Sequence, residues 1–206
     1  MFWAALLAGI AGYVDAISYI HLGGAFAANM TGNLVEIGIR GATGDWRRAA
    51  WCLSLVVAFL LGIVVSRLLL RAHRSPRTAL LIESAVIAAA GTGVLGLAAI
   101  PLLAAAMALQ NEAATHGIVA VNVAFITGDI QRLGERLVAE TVPGQRARRD
   151  GQPRLILAIL VCYASGAGIG TLASDLGAPA LFCPAGVLAM TVLLPVRWTR
   201  IAASEG

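Results

Sequence analysis

The chain contains no lysine: all fifteen of its basic residues are arginine, set against eleven acidic residues. Charged residues of either sign make up only 13% of it, about half of what a water-soluble domain carries. With 59% hydrophobic residues and a mean hydropathy of +0.82, water is excluded as its main solvent. Cysteine is scarce too. Cys52, Cys162 and Cys183 sit in apolar segments without the spacing of a metal site or a disulfide framework, where a thiol behaves as a small hydrophobe. The arginines fall mainly between apolar runs, as topology determinants do, so no nucleic-acid partner is expected. Nor is a cleaved signal peptide, because Met1 to Ile10 lack a basic flank and Asp15 follows closely.

What remains is an all-α reading. Apolar runs near residues 50–66, 79–106, 155–173 and 178–196 approach or exceed the roughly 20 residues that cross a hydrocarbon core as helix. Hydropathy and breakers together give eight helical pieces, at about 4–20, 30–40, 47–70, 78–99, 101–115, 126–139, 154–174 and 178–197. The pieces 30–40 and 126–139 are short, and the second carries Asp129, Arg132, Glu135 and Arg136. Each such charge costs several kcal/mol at the bilayer centre, so both pieces read as partial helices.

Charge parity decides the count. Arginine collects in cytoplasmic loops, and successive loops alternate sides. Eight crossings would place outside either the loop of Arg67, Arg71, Arg74 and Arg77 or that of Arg146, Arg148, Arg149 and Arg154. Six crossings with both termini cytoplasmic put both loops and the Arg197–Arg200 tail inside, leaving only Arg40, Arg47 and Arg48 outside. Trp3, Trp46, Trp51 and Trp198 then lie near segment ends, at headgroup level.

Within a single membrane domain over residues 1–206, an offset of 96 residues pairs Thr31-Gly32-Asn33 with Thr127-Gly128-Asp129, Asp15 with Asn111, Gly38 with Gly134 and Arg40 with Arg136. The repeats are about 1–99 and 100–206. Three crossings per half is an odd number, so the second half enters from the opposite side and the repeat is inverted. Inverted repeats with interrupted polar segments at matching places are the pattern of many transporters, whose site lies between the halves. Each interrupted segment runs about 37 residues, roughly 55 Å as straight helix, and must break. Gly23-Gly24 and Asn29 to Gly32 supply breakers in the first half, His116-Gly117 and Asn122 in the second.

The candidate substrate- or ion-binding residues are Asp15, Thr31, Asn33, Asn111, Glu112, Thr127 and Asp129, for a small solute, a proton or a cation between the halves. A static reading competes: Asp15 and the Asn111-Glu112 pair lock the halves by hydrogen bonds, and Asn29 or Thr31, and Thr127 or Asp129, cap the short helices. Glu112 has candidate partners in Arg132 and His116, and Glu36 faces an inter-half pair with Arg132. Glu83 is placed near the cytoplasmic end of its crossing, where it snorkels. Gly91-x-Gly93-x-x-Gly96 fits a dinucleotide fingerprint only by letters, and Gly166, Gly168 and Gly170 read as a small-residue contact surface. Close helix packing is the expected role of both sets. No nucleophile–base set, metal site or cofactor motif stands out, so a noncatalytic protein is expected. The Gly-rich faces permit a homo-oligomer.

The stretches GYVDAISYIHLGGAFAANMTGNLVEIG, residues 12–38, and MALQNEAATHGIVAVNVAFITGDIQRLGERL, residues 107–137, resemble the YoaK-like family of bacterial inner-membrane proteins. The resemblance implies a multi-pass protein of the bacterial cytoplasmic membrane, and supplies neither substrate nor site residues. The polar N-terminal leader usual in that family is missing, so the start is expected to be shortened.

Overall fold

The computed structural model describes residues 1–73, 75–115, 126–141 and 153–193. Among the described residues there are eight α-helices: α1 Phe2–Ile17, α2 Met30–Ala42, α3 Trp46–His73, α4 Pro76–Gly91, α5 Ala99–Ala113, α6 Ile126–Thr141, α7 Pro153–Leu172 and α8 Phe182–Leu193. They fall where hydropathy and breakers place them, with differences at their ends. The largest is in α4, which stops at Gly91 rather than running to residue 99. Gly93 and Gly96 adopt φ of +74° and +51°, a left-handed backbone that glycine takes without steric cost. They form the turn into α5 and face open space, so the packing role expected of them is corrected. Gly91 alone packs closely, against the Phe182 ring and Ala178.

Four segments are long and apolar enough to cross a membrane: Phe2–Gly23, Trp46–Ala72, Gly96–Ala113 and Pro153–Leu172. Helices α4 and α8 are apolar but shorter. Two of the four, those of α1 and α5, are mostly buried, whereas α3 and α7 stand at the periphery. On α3 the residues Leu53, Val57, Leu60, Val64 and Leu68 are exposed along one face. A continuous exposed apolar stripe is unfavourable in water and neutral against acyl chains. The chain is thus an all-helical, apolar-helix-rich protein, consistent with an integral membrane protein.

Glycine sets the closest helix contacts. A Cβ on Gly12 would stand 2.0 Å from the Tyr163 carbonyl oxygen, and one on Gly166 would stand 2.0 Å from that of Gly9. Gly170 meets Tyr13 in the same way, while Gly168 faces open space and takes no part in the contact expected of it. Contact levels rise together along both chains, Gly9 with Gly166 and Tyr13 with Gly170, so α1 and α7 are parallel. The contact recurs between α3 and α5, where a Cβ on Gly62 would stand 2.4 Å from the Ala105 carbonyl oxygen. Ala105 lies 96 residues after Gly9. With Arg67 meeting Glu112 further along, α3 and α5 are parallel too. Helices α4 and α8 instead run antiparallel: the Ser84 hydroxyl donates to the Ala185 carbonyl at 2.9 Å, and Gly91 meets Phe182.

Candidate functional site

The first break is built from the end of α1. At Ser18 the helix widens into a π-turn that runs to Gly23, and Gly24 ends it at φ +64°. The Arg48 guanidinium donates to the freed Gly24 carbonyl. Across the gap, α2 begins with Asn29 as its cap, whose Oδ1 accepts from the Gly32 amide at 3.2 Å. Two buried side chains hold the linker between. Asp15 accepts from the amides of Ala28 (2.6 Å) and Asn29 (3.1 Å), and Asn33 bonds Phe26 twice, accepting from its amide at 3.0 Å and donating to its carbonyl at 2.8 Å. The Phe26 ring stacks on Tyr19 at 4.9 Å. Irregular backbone at membrane depth needs its polar groups satisfied by protein, and here side chains do so.

Asp15 also reaches the other half of the chain. Tyr163, in the middle of α7, donates its hydroxyl to Asp15 Oδ2 at 2.5 Å. The carboxylate, 2% exposed, therefore joins α1, the start of α2 and α7. This is the lock of the static reading, with Tyr163 as its partner across the halves rather than the Asn111-Glu112 pair.

At the second break, the helix widens again at Ala114, 96 residues after Ser18, and α6 starts at Ile126, 96 residues after Met30. The intervening His116, Gly117 and Asn122 lie outside the described residues, as do Arg74, Arg146, Arg148, Arg149, Arg197, Trp198 and Arg200. Asn111 and Glu112 are both 7% exposed. Glu112 pairs with Arg67 of α3 rather than with the expected Arg132, while its other expected partner, His116, falls outside the described residues. Arg132 turns to Asp129 within α6 at 3.4 Å, and Glu36 pairs with Arg40 one turn along α2 at 2.9 Å, so the Glu36–Arg132 pair does not form.

The seven candidates thus separate. Asp15 and Asn33 converge on the first linker; Asn111 and Glu112 are buried at the end of α5 and Asp129 in the first turn of α6; Thr31 and Thr127 are exposed and cap nothing. Asn111 Oδ1, Asp129 Oδ2 and Gln110 Oε1 are buried without a hydrogen-bond partner. Aligning Gly166 with Gly62 sets Tyr163 over Phe59, so the hydroxyl that Asp15 receives has no counterpart for Asn111. Among the described residues no three His, Cys, Asp or Glu side chains gather as a metal set. An open groove of about 460 Å³ between α1, α7 and α8 is walled by apolar side chains, with Phe2, Leu6, Ile169 and Val187 among them. It offers a polar solute nothing.

Sequence reasoning missed Tyr163 and misplaced Glu83. Tyr163 has a local signal, a tyrosine at mid-helix where membrane tyrosines favour the interface. Glu83 does not snorkel: it is fully buried midway along α4.

Asn33→Leu keeps the branched shape and removes both bonds to Phe26, leaving a part-buried amide and carbonyl unmet. A loss of about 1–3 kcal/mol is expected, read as denaturant unfolding of the purified protein in detergent. Thr31→Ala, exposed on the same helix, should stay within about 0.5 kcal/mol of the parent.

No curated protein and no solved structure matches this chain. The model of one family, described as a protein of unknown function (DUF1275), matches residues 3–194. With nearly its whole length covered by that match, the chain belongs to the DUF1275 family.

Proposed function

We propose that this is a noncatalytic transporter or channel for a small solute, with six crossings in two inverted halves and a polar path between them. The observation that carries it is the paired interruption of the central helices, each widening into a π-turn and restarting as a short helix at the same 96-residue spacing. Discontinuous helices at corresponding places in two halves are where transporters form their sites.

The helix directions support six crossings. Short connections make α4 oppose α5 and α7 oppose α8, and α4 opposes α8 by its contacts. Hence α5 opposes α7. Because α1 follows α7 and α3 follows α5, α1 opposes both α3 and α5. Helices α2 and α6 each lie between helices already reversed, which leaves neither a crossing of its own. The arginine distribution favours both termini in the cytoplasm, and the resemblance to YoaK-like proteins favours a bacterial inner membrane.

Within this reading the halves divide the work. The first break is pinned by Asp15, Asn33 and Tyr163, whereas the second keeps unmet polar atoms on Asn111 and Asp129. The solute path is therefore assigned to the second break, with Glu112 and Asp129 as its charged groups. One observation favours the rival, a membrane scaffold: the buried Asp15 is fully engaged in structural bonds.

A flux survey in proteoliposomes tests the choice. At least one class of small solute or ion should move only with the protein present, and Asp129→Asn should slow it by about tenfold or more. Movement of no solute, or unchanged flux in Asp129→Asn and Glu112→Gln alike, would leave the scaffold as the better account.

A further inference from the structure

Glu83 lies outside the site described above. Its helix, α4, starts at Pro76 behind the Ser75 cap and buries one face through Ala79, Leu80, Glu83, Ser84 and Ile87. Seven residues of helix precede Glu83 and eight follow, so the carboxyl lies roughly 10–12 Å from either end. That is midway along α4. Its exposure is 0%, and neither oxygen has a hydrogen-bond partner.

The surroundings offer little to a charge. Helix α4 packs against α5, α8 and the turn Ala178–Leu181, with α3 touching its start. Of the charged or titratable groups described on these elements, Glu112 of α5 is paired with Arg67 of α3; Arg71 and Arg77 stand at the α3–α4 hairpin; Arg47, Arg48 and Cys52 lie in the first turns of α3, at its other end; Cys183 of α8 is exposed. None bonds to Glu83. The neighbouring Ser84 hydroxyl is committed to the Ala185 carbonyl. On α5, Gln110 donates its Nε2 to the Leu7 carbonyl while its Oε1 stays unmet. A metal cation needs several oxygen ligands, and this apolar face supplies the two of one carboxylate. A bare carboxylate here is strongly unfavourable. A proton removes that cost with one bond, and the neutral acid has an O–H to give.

We propose that Glu83 is a proton-exchange site within the membrane: its carboxyl takes up and releases a proton as the packing of α4 against α5 and α8 opens and closes. This rests on the transporter reading for its purpose, to which it adds a proton as the coupling ion, but not for its chemistry. No bond other than O–H forms or breaks, and the proton passes to and from water reaching the opened interface.

The test is spectroscopic and needs no solute. The full chain is reconstituted in lipid and its infrared difference spectrum taken between about pH 5 and about pH 9, a range that covers buried glutamates. In parallel it is treated with dicyclohexylcarbodiimide, which attacks neutral carboxyls in apolar surroundings, and the modified residue is mapped by mass spectrometry. A neutral-carboxyl carbonyl band that fades as pH rises, absent in Glu83→Gln, is expected, with carbodiimide attached at Glu83 and declining over the same range. If Glu83→Gln does not fold, Glu83→Asp should keep the band at a shifted frequency. A band that stays constant with pH, or none assignable to residue 83, would overturn the proposal. Proton exchange without any solute flux would instead remove the transporter reading and leave this one standing.

Discussion

Gly166→Leu should separate α1 from α7 and cost about 3 kcal/mol or more of stability, read as denaturant or thermal unfolding in detergent. Backbones in lipid approach closely only where side chains are small, and that packing supplies much of the association. A Cβ at position 166 would lie 2.0 Å from the Gly9 carbonyl oxygen, and the atoms it meets are backbone, with no rotamer to yield. The helices must move apart along the whole contact, including the Gly12–Tyr163 and Gly170–Tyr13 approaches. Overpacking of a core costs about 1–3 kcal/mol where side chains can adjust, and more is expected here. Gly168→Ala, two residues away on the open face, is the control: it should be neutral or add up to about 1 kcal/mol through helix propensity. Equal effects at the two positions would mean that the α1–α7 contact is not what glycine serves.

Asp15→Ala should be at least as damaging, for a different reason. Its carboxylate receives the Ala28 and Asn29 amides and the Tyr163 hydroxyl, and alanine would leave all three donors unmet, the first buried and the other two part-buried. Each such donor costs about 1–3 kcal/mol, so a loss of about 3–5 kcal/mol is expected, with the linker before α2 released. Tyr163→Phe removes one of the three bonds and should cost about 1–2 kcal/mol. In Asp15→Ala the further Tyr163→Phe change should then cost much less, since the hydroxyl has already lost its acceptor. Full additivity of the two would show that the hydroxyl and the carboxylate do not act on each other.

These two cases mark what is legible in the sequence. Helix positions follow from local composition, so the eight segments and the breakers at Gly23-Gly24 are readable from the order of residues alone. The 96-residue offset is readable as well, because Asp15 and Asn111 keep their spacing from the Thr-Gly-Asn and Thr-Gly-Asp turns. Partners are not. Tyr163 stands 148 residues from Asp15, and the parallel contact joining them is set by glycines on both helices. Arg67 reads as one more loop arginine until α3 is seen to continue to His73, which places its guanidinium against Glu112. Glu83 is misread because a continuous apolar run hides the helix end at Gly91: once the turn through Gly93 and Gly96 is known, a residue near one end becomes the midpoint of α4.

The central claim, two inverted halves with α2 and α6 as partial helices, is tested most directly by the sidedness of single cysteines. After Cys52, Cys162 and Cys183 are replaced, Thr43→Cys, Ser75→Cys, Val94→Cys and Ser174→Cys are labelled in intact cells with a membrane-impermeant thiol reagent. Six crossings predict that positions 43, 94 and 174 label from outside and that position 75 labels only after the membrane is opened. If α2 and α6 were crossings, positions 43 and 94 would share one face and position 174 would lie on the other. That result would contradict the inverted architecture and the function built on it.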